Sequence, residues 1–314
     1  MTLLAFADGL RLQAATRLSL NESGRYLGLQ TSWVRQGHSA RLANRWVSLV
    51  FERNQRAFTV DGLRVHLGAP VDLANGQLTI TRTDYAKTLL PLLSPGAFDA
   101  PGPARHVVID PGHGGKDAGA VNRSLGLREA EVALDVSLRL AQLLREAGYR
   151  VTLTRSDDRY IELAERTAIA NRAQADFFIS VHANAFSDAR VQGLETFAYT
   201  PQGQPSTGRA RLHQSDTLTY PANRNDTWNL LAAFYVQKSL VASLGGKDRG
   251  VKRARFTVLQ SLNCPGLLAE IGFLSNPVEG GRLQTSAYRD QVARALCRGI
   301  LTYDATLQRH QRAP

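Results

Sequence analysis

The sequence predicts an α/β domain with a mostly parallel sheet and helices on both faces, preceded by a small β-rich α+β domain. Three observations carry this. Up to residue 93, short apolar runs are separated by turn residues, as in strands joined by tight turns. Residues 94–105, "SPGAFDAPGPAR", hold three prolines and break every period, as a linker does. From residue 106 on, runs of strand length alternate with helical patterns, the mark of a sheet covered on both sides. The expected boundaries are therefore 1–93 for an accessory domain, 94–105 for the linker and 106–314 for the domain that carries chemistry. A chain of 314 residues, 43% of them hydrophobic, can supply a core to each.

Within the first domain, "RWVSLVFE", "AFTVDGLRVHL" and "GQLTITR" read as strands. Asn75-Gly76 is a hairpin signal, because both positions tolerate the positive φ of a type I′ turn. "TDYAKTLLPLL" reads as a short helix with Thr83 or Asp84 as its cap. In the second domain "HVVIDP" is a strand, and Arg128 to Ala147 is a helix stopped by Gly148. "RVTLTR" is a strand and Ile161 to Ala173 a helix. "ADFFISVHAN" and "LETFAYT" are strands, and Thr227 to Leu244 is a helix closed by Gly245-Gly246. "RARFTVL" and "GLLAEIG" are the last strands, and Ser286 to Tyr303 is the closing helix. The polar stretch from Pro201 to Trp228 interrupts the alternation; a loop this long is functional or disordered.

The net charge is +11, which favours an anionic partner. The arginines are scattered and no basic run is interleaved with aromatics, so nucleic acid is not the expected partner. No apolar run reaches the ~18 residues of a membrane span. The opening "MTLLAFADGL" lacks the basic and apolar regions of a complete export signal. Cys264 and Cys297 have no zinc-ribbon spacing; one disulfide and two buried thiols both remain open. A monomer is expected.

Four residues stand where an α/β sheet builds its site, at strand ends and at a helix start. His113 follows "HVVID" on a turn of glycines, which lets backbone come close to a ligand. A solvent-facing turn histidine is its plain alternative, and an anion cradle is disfavoured because the GxxxxGK[ST] pattern is missing. His182 emerges as "FFISV" ends; alone it would read as a core histidine, but a second imidazole at a strand end favours a metal, and imidazole suits zinc. Glu129 shares the apolar stripe of its helix, Val132, Val136, Leu140, Leu143 and Ala147, whereas Glu131 is turned away by about 200°. Glu129 thus points inward, which dipole stabilisation of an exposed acid does not explain. Glu270 stands in the apolar run "CPGLLAEIGFLSNP", where a carboxylate must be paired, bind a metal or act as a general base.

Taken together, "VVIDPGHGGKDAGA", "REAEV", "FFISVHANA", "DRGVKRARFTVL" and "LLAEIGFLSNP" resemble, in order and spacing, the zinc-dependent N-acetylmuramoyl-L-alanine amidases over about residues 106–303. The resemblance implies zinc held by His113, Glu129 and His182, with Glu270 as the catalytic acid/base. It implies peptidoglycan as the substrate, cleaved between N-acetylmuramic acid and L-alanine, at a periplasmic or extracellular wall. The loop from Pro201 falls where some regulated members insert an inhibitory helix. Residues 56–93 resemble the small domain named for the N-terminus of copper amine oxidases. Two other classes stay open at this point, a wall-binding protein without catalysis and a zinc peptidase acting on free peptides.

Overall fold

The protein is described by a computed structural model over residues 16–311; the opening stretch read for an export signal lies outside the described residues. Two compact units emerge, one of residues up to Asp99 together with Thr200–Thr219, the other of Ala100–Tyr199 with Tyr220 onward. The segment Thr200–Thr219 is bonded to its own unit. The Gln204 side-chain amide donates to Asp84 Oδ1 (3.1 Å), and Arg56 donates to the Arg209 carbonyl (2.5 Å). The sequence boundary placed this segment with the second domain; these two hydrogen bonds join it to residues of the first unit.

In the first unit the strands Gln30–Arg35, Ser39–Ala43, Ser48–Glu52, Ala57–Val60 and Leu63–His66 form an antiparallel meander. A second sheet joins Arg17–Ser19, Gln77–Thr81 and Asp72–Ala74, the last two through the Asn75-Gly76 turn, whose φ values are +50° and +71°. The helix expected after that hairpin is capped by Thr81, which accepts from the Asp84 amide, rather than by Thr83 or Asp84. A helix over Leu20–Leu27 went unread, although Ser19 and Glu22 form a capping box and Gly28 closes it in the left-handed region.

The elements of the second unit are β1 (His106–Pro111), α1 (Glu129–Glu146), β2 (Arg150–Leu153), α2 (Leu163–Arg172), β3 (Phe177–Asn184), β4 (Leu194–Tyr199), α3 (Asp226–Leu244), β5 (Asp248–Ala254), β6 (Gly266–Phe273), α4 (Pro277–Gln284) and α5 (Ser286–Gln311). The strand order is β2-β1-β3-β6-β4-β5, with only the β6–β4 pairing antiparallel. Val108 of β1, Phe178 of β3 and Leu268 of β6 pack with Ala170 of α2 and with Val258 and Leu259 of a single-turn helix, Thr257–Gln260. Side chains alternate across a strand, so the fully buried Val107, Ile109, Ile179 and Leu267 line the other face, covered by α1 and α3. Helices therefore cover both faces of a mostly parallel sheet, as expected.

Two local expectations are corrected and one helix is added. The run from Arg253 to Leu259 is not one strand: β5 ends at Ala254 and a helical turn follows. α4 was unread; it starts from Asn276, whose side chain accepts from the amides of Val278 and Glu279, with Pro277 at its first position. The inward stripe of α1 closes on Leu144 instead of Leu143, and Ala147 is exposed, because steps of four residues carry the stripe from Val132 through Val136 and Leu140. Both cysteines are free and buried. Among the described residues no helix is long and apolar enough to cross a membrane.

Candidate metal centre

The site starts from a buried acid at the end of β1. Asp110 is shielded from water and accepts hydrogen bonds from Thr154 Oγ1 (2.6 Å), Ser180 Oγ (2.7 Å) and Arg166 Nη1 (2.9 Å). Arg166 also donates to the carbonyls of Pro111 (2.7 Å) and His113 (2.8 Å). A second buried arginine, Arg155, donates to the carbonyls of Pro111 (3.0 Å), Gly112 (2.6 Å) and Ala130 (2.8 Å). Arg155 thereby ties the turn after β1 to the first turn of α1, and so sets His113 relative to Glu129. Sequence reasoning missed this brace. The signal was present in Asp110, an acid ending an apolar strand, to which the argument used for Glu270 applies equally.

His113 has φ +59°, in the left-handed region that costs a non-glycine residue energy. The surrounding glycines serve the side chains of the site. A Cβ on Gly112 would lie 2.4 Å from Cε1 of His182, and one on Gly119 would lie 2.7 Å from both Glu129 Oε2 and His113 Cδ2. The glycine turn thus admits the imidazole and carboxylate groups to one place, a closer reason for it than substrate approach alone.

The structure brings His113, Glu129 and His182 together. Each offers one ligand atom, and these atoms lie within 4.8 Å of one another. His113 Nε2 and His182 Nδ1 are 3.0 Å and 2.9 Å from the same oxygen, Glu129 Oε1. The Ala120 amide donates to Glu129 Oε2 (2.9 Å), which fixes the carboxylate plane. On its far side His113 Nδ1 bonds Asp117 Oδ2 (2.8 Å), the kind of carboxylate support that orients a metal-binding imidazole. Burial works against the ionised form of Glu129, but the hydrogen bonds from both histidines outweigh it and hold the carboxyl well below its usual range. For His113, burial is likewise outweighed by Glu129 and Asp117, and its pKa is raised. Glu131 is exposed and pairs with Arg128 (3.2 Å), on the opposite side of the helix from the site.

Glu270 lies beside His182 in the parallel register of β6 and β3, hence on the same face of the sheet. Its Oε2 is sealed from water and has no hydrogen-bond partner. Burial, with Glu129 and Glu195 adding repulsion and Lys252 opposing, raises its pKa well above that of an ordinary carboxyl. A buried oxygen without a partner costs about 1–3 kcal/mol or more, so its place beside His182 and within electrostatic reach of Glu129 calls for a group that the side chains alone do not provide. Two histidines and one glutamate are a catalytic zinc ligand set, with a fourth position left for water. The residues therefore fit that metal.

Residues 107–302 match the family model described as N-acetylmuramoyl-L-alanine amidase. The chain is 30% identical over 256 residues to the N-acetylmuramoyl-L-alanine amidase AmiA of Escherichia coli K12, a match covering 75% of this chain and 88% of that one. It is 36% identical over 197 residues to the N-acetylmuramoyl-L-alanine amidase LytC of Bacillus subtilis 168, where 63% of this chain meets only 35% of the relative's length. Among solved structures, the amidase AmiC2 of Nostoc punctiforme superposes with a TM-score of 0.53 at 34% identity, over 64% of this chain and 98% of that one.

Proposed function

The chain belongs to the N-acetylmuramoyl-L-alanine amidase family, and from that premise we propose that His113, Glu129 and His182 hold a catalytic zinc ion and that Glu270 is the acid/base of the reaction. The reaction is hydrolysis of peptidoglycan at the amide between N-acetylmuramic acid and L-alanine. The observation that carries the assignment of roles is the partnerless, buried Glu270 Oε2 on the sheet face it shares with His182.

When bound, zinc supplies Lewis acidity, polarising the scissile carbonyl and lowering the pKa of a coordinated water toward about 7. Glu270 takes a proton from the attacking water and delivers it to the L-alanine nitrogen, because an unprotonated amine is a poor leaving group. Acid–base help is greatest when the group that takes the proton can also give it up at the working pH, and Glu270, in the apolar run of β6 and on the sheet face of His182, is placed for both transfers. Asp117 keeps the His113 ring turned toward Glu129, and the Asp110–Arg155–Arg166 brace holds the turn that carries it. The net charge of +11 suits an anionic wall polymer, and such a substrate places the protein at a periplasmic or extracellular wall.

The test is metal content and products from one preparation. About one zinc per chain is expected, with activity lost on chelation and restored by zinc. The fold should survive, because the second unit has a core of its own. Purified peptidoglycan should yield stem peptides with free L-alanine amino termini. A fully active preparation without metal would overturn the zinc assignment, and cleavage within the stem would overturn the reaction.

A further inference from the structure

Beside Glu270 lies a charged cluster that the proton transfers do not use. Glu195 of β4 is directly opposite Glu270 in the antiparallel register, and therefore on the same face. It is buried, yet like charges opposite one another are unfavourable. The surrounding groups offset this. Asn184 of β3 donates to Glu195 Oε1 (2.8 Å), while Arg249 Nε (2.8 Å) and the Lys252 ammonium both donate to Oε2. The Glu195 carboxylate thus reaches from the strand of His182, past Glu270, to two cations of β5.

Arg249 is aimed by the backbone. The β4–β5 register slips between Leu194 and Glu195, so that Asp248 pairs with Leu194, Gly250 with Glu195, and Arg249 falls between the two with no counterpart in β4. A bulge of this kind redirects one side chain and is over-represented beside active sites. Gly193 makes room for it: a Cβ there would lie 2.8 Å from Arg249 Cγ. The guanidinium also lies over the Phe273 ring, 5.0 Å from its centroid. The side chain is 29% exposed and that of Lys252 15%, so neither cation is sealed away as a purely internal counter-ion would be.

We propose that Arg249 and Lys252, held in place by Glu195, receive a carboxylate of the stem peptide, that of the residue following L-alanine; this rests on the amidase reading above. The spacing suits it. Strands about 4.8 Å apart put Glu195 roughly 10 Å across the sheet from His182. An extended peptide covers about 3.5 Å per residue, so that carboxylate lies about 7 Å from the scissile nitrogen. The cations bridge the remainder, since both are held against Glu195, which stands opposite Glu270 on the neighbouring strand. A guanidinium fork is well suited to a carboxylate.

The experiment uses the full chain, loaded with zinc, and two soluble substrates: N-acetylmuramoyl-L-alanyl-D-glutamate with its γ-carboxyl capped as the methylamide, and its α-carboxyl either free or amidated. Cleavage of the free acid should be favoured about tenfold in kcat/KM, through KM. In Arg249→Gln the preference should collapse to within about twofold at unchanged zinc content, and Arg249→Lys should restore part of it. Calorimetric binding of the two cleaved dipeptides to the unsubstituted protein gives the same ratio without turnover or substitution. Equal handling of acid and amide, or a preference that persists in Arg249→Gln, would overturn the proposal. If neither substrate is cleaved while purified peptidoglycan is, the dipeptide binding ratio decides the subsite; if peptidoglycan is not cleaved either, the amidase reading fails and that ratio still decides the subsite.

Discussion

Asp84 in the first unit and Glu270 in the second are both carboxyls whose pKa burial raises, yet their surroundings differ in kind. Asp84 accepts from the Gly68 amide (2.6 Å), the Ala69 amide (3.2 Å), Thr81 Oγ1 (2.7 Å) and the Gln204 amide (3.1 Å). Those bonds tie together a loop, a helix cap and the distant segment Thr200–Thr219. Glu270 has an oxygen sealed from water with no partner at all. The first arrangement uses a buried acid to hold chain segments together; the second leaves an oxygen unbonded, which is what the proposed acid/base role needs. A buried carboxylate in a sequence is therefore ambiguous until its donors are counted.

Substitutions should separate the two. Glu270→Gln keeps the shape and removes the base, so turnover should fall by about 10²–10⁴ with zinc retained. The melting temperature should hold or rise, because an unsatisfied buried acid has been removed. Turnover, zinc content and melting temperature measured on one preparation check this, and near-normal turnover would sink the mechanism. Glu129→Ala should weaken zinc binding by at least about 10², and Asp117→Ala by the smaller 10–100-fold typical of a supporting residue, both read by competition with a chelator. A reversed order would mean that the ligand set is misassigned.

Asp84→Ala should act oppositely to Glu270→Gln. It strands two amides, so the first unit should lose about 2–5 kcal/mol in chemical denaturation. Turnover per folded molecule should stay the same; a loss of turnover at full folding would erase the contrast between the two acids. Glu131→Ala should have the least effect. Its exposed pair with Arg128 is worth at most about 1 kcal/mol, and zinc affinity should not move. A marked loss of zinc in that variant would show that the helical phase was misread.

Much of the catalytic unit was legible because short-range physics wrote it. Apolar runs of strand length, the glycine after α1 and the phase that turns Glu129 inward and Glu131 outward all depend on residues close in the chain. His113, His182 and Glu270 could be nominated because strand ends collect at one edge of such a sheet. The Ser19–Glu22 capping box and the Asn276-Pro277 helix start were equally local signals, and were simply not read. Other features were not local. Arg155 and Arg166 look like any other arginines in a chain with so many, and only folding reveals that they grip the carbonyls beneath His113. That Thr200–Thr219 groups with the first unit rests on contacts such as a glutamine meeting an aspartate 120 positions earlier. Glu195 reads in sequence as one polar residue in a strand, and its place opposite Glu270 follows from strand order and register. By itself, the sequence determined the elements, the sheet class and the residues able to bind a metal, because periodicity, turn chemistry and burial cost act within a few residues. Only the tertiary structure decided which charges share a face and which buried oxygen goes without a partner, because both depend on contacts between residues far apart in the chain.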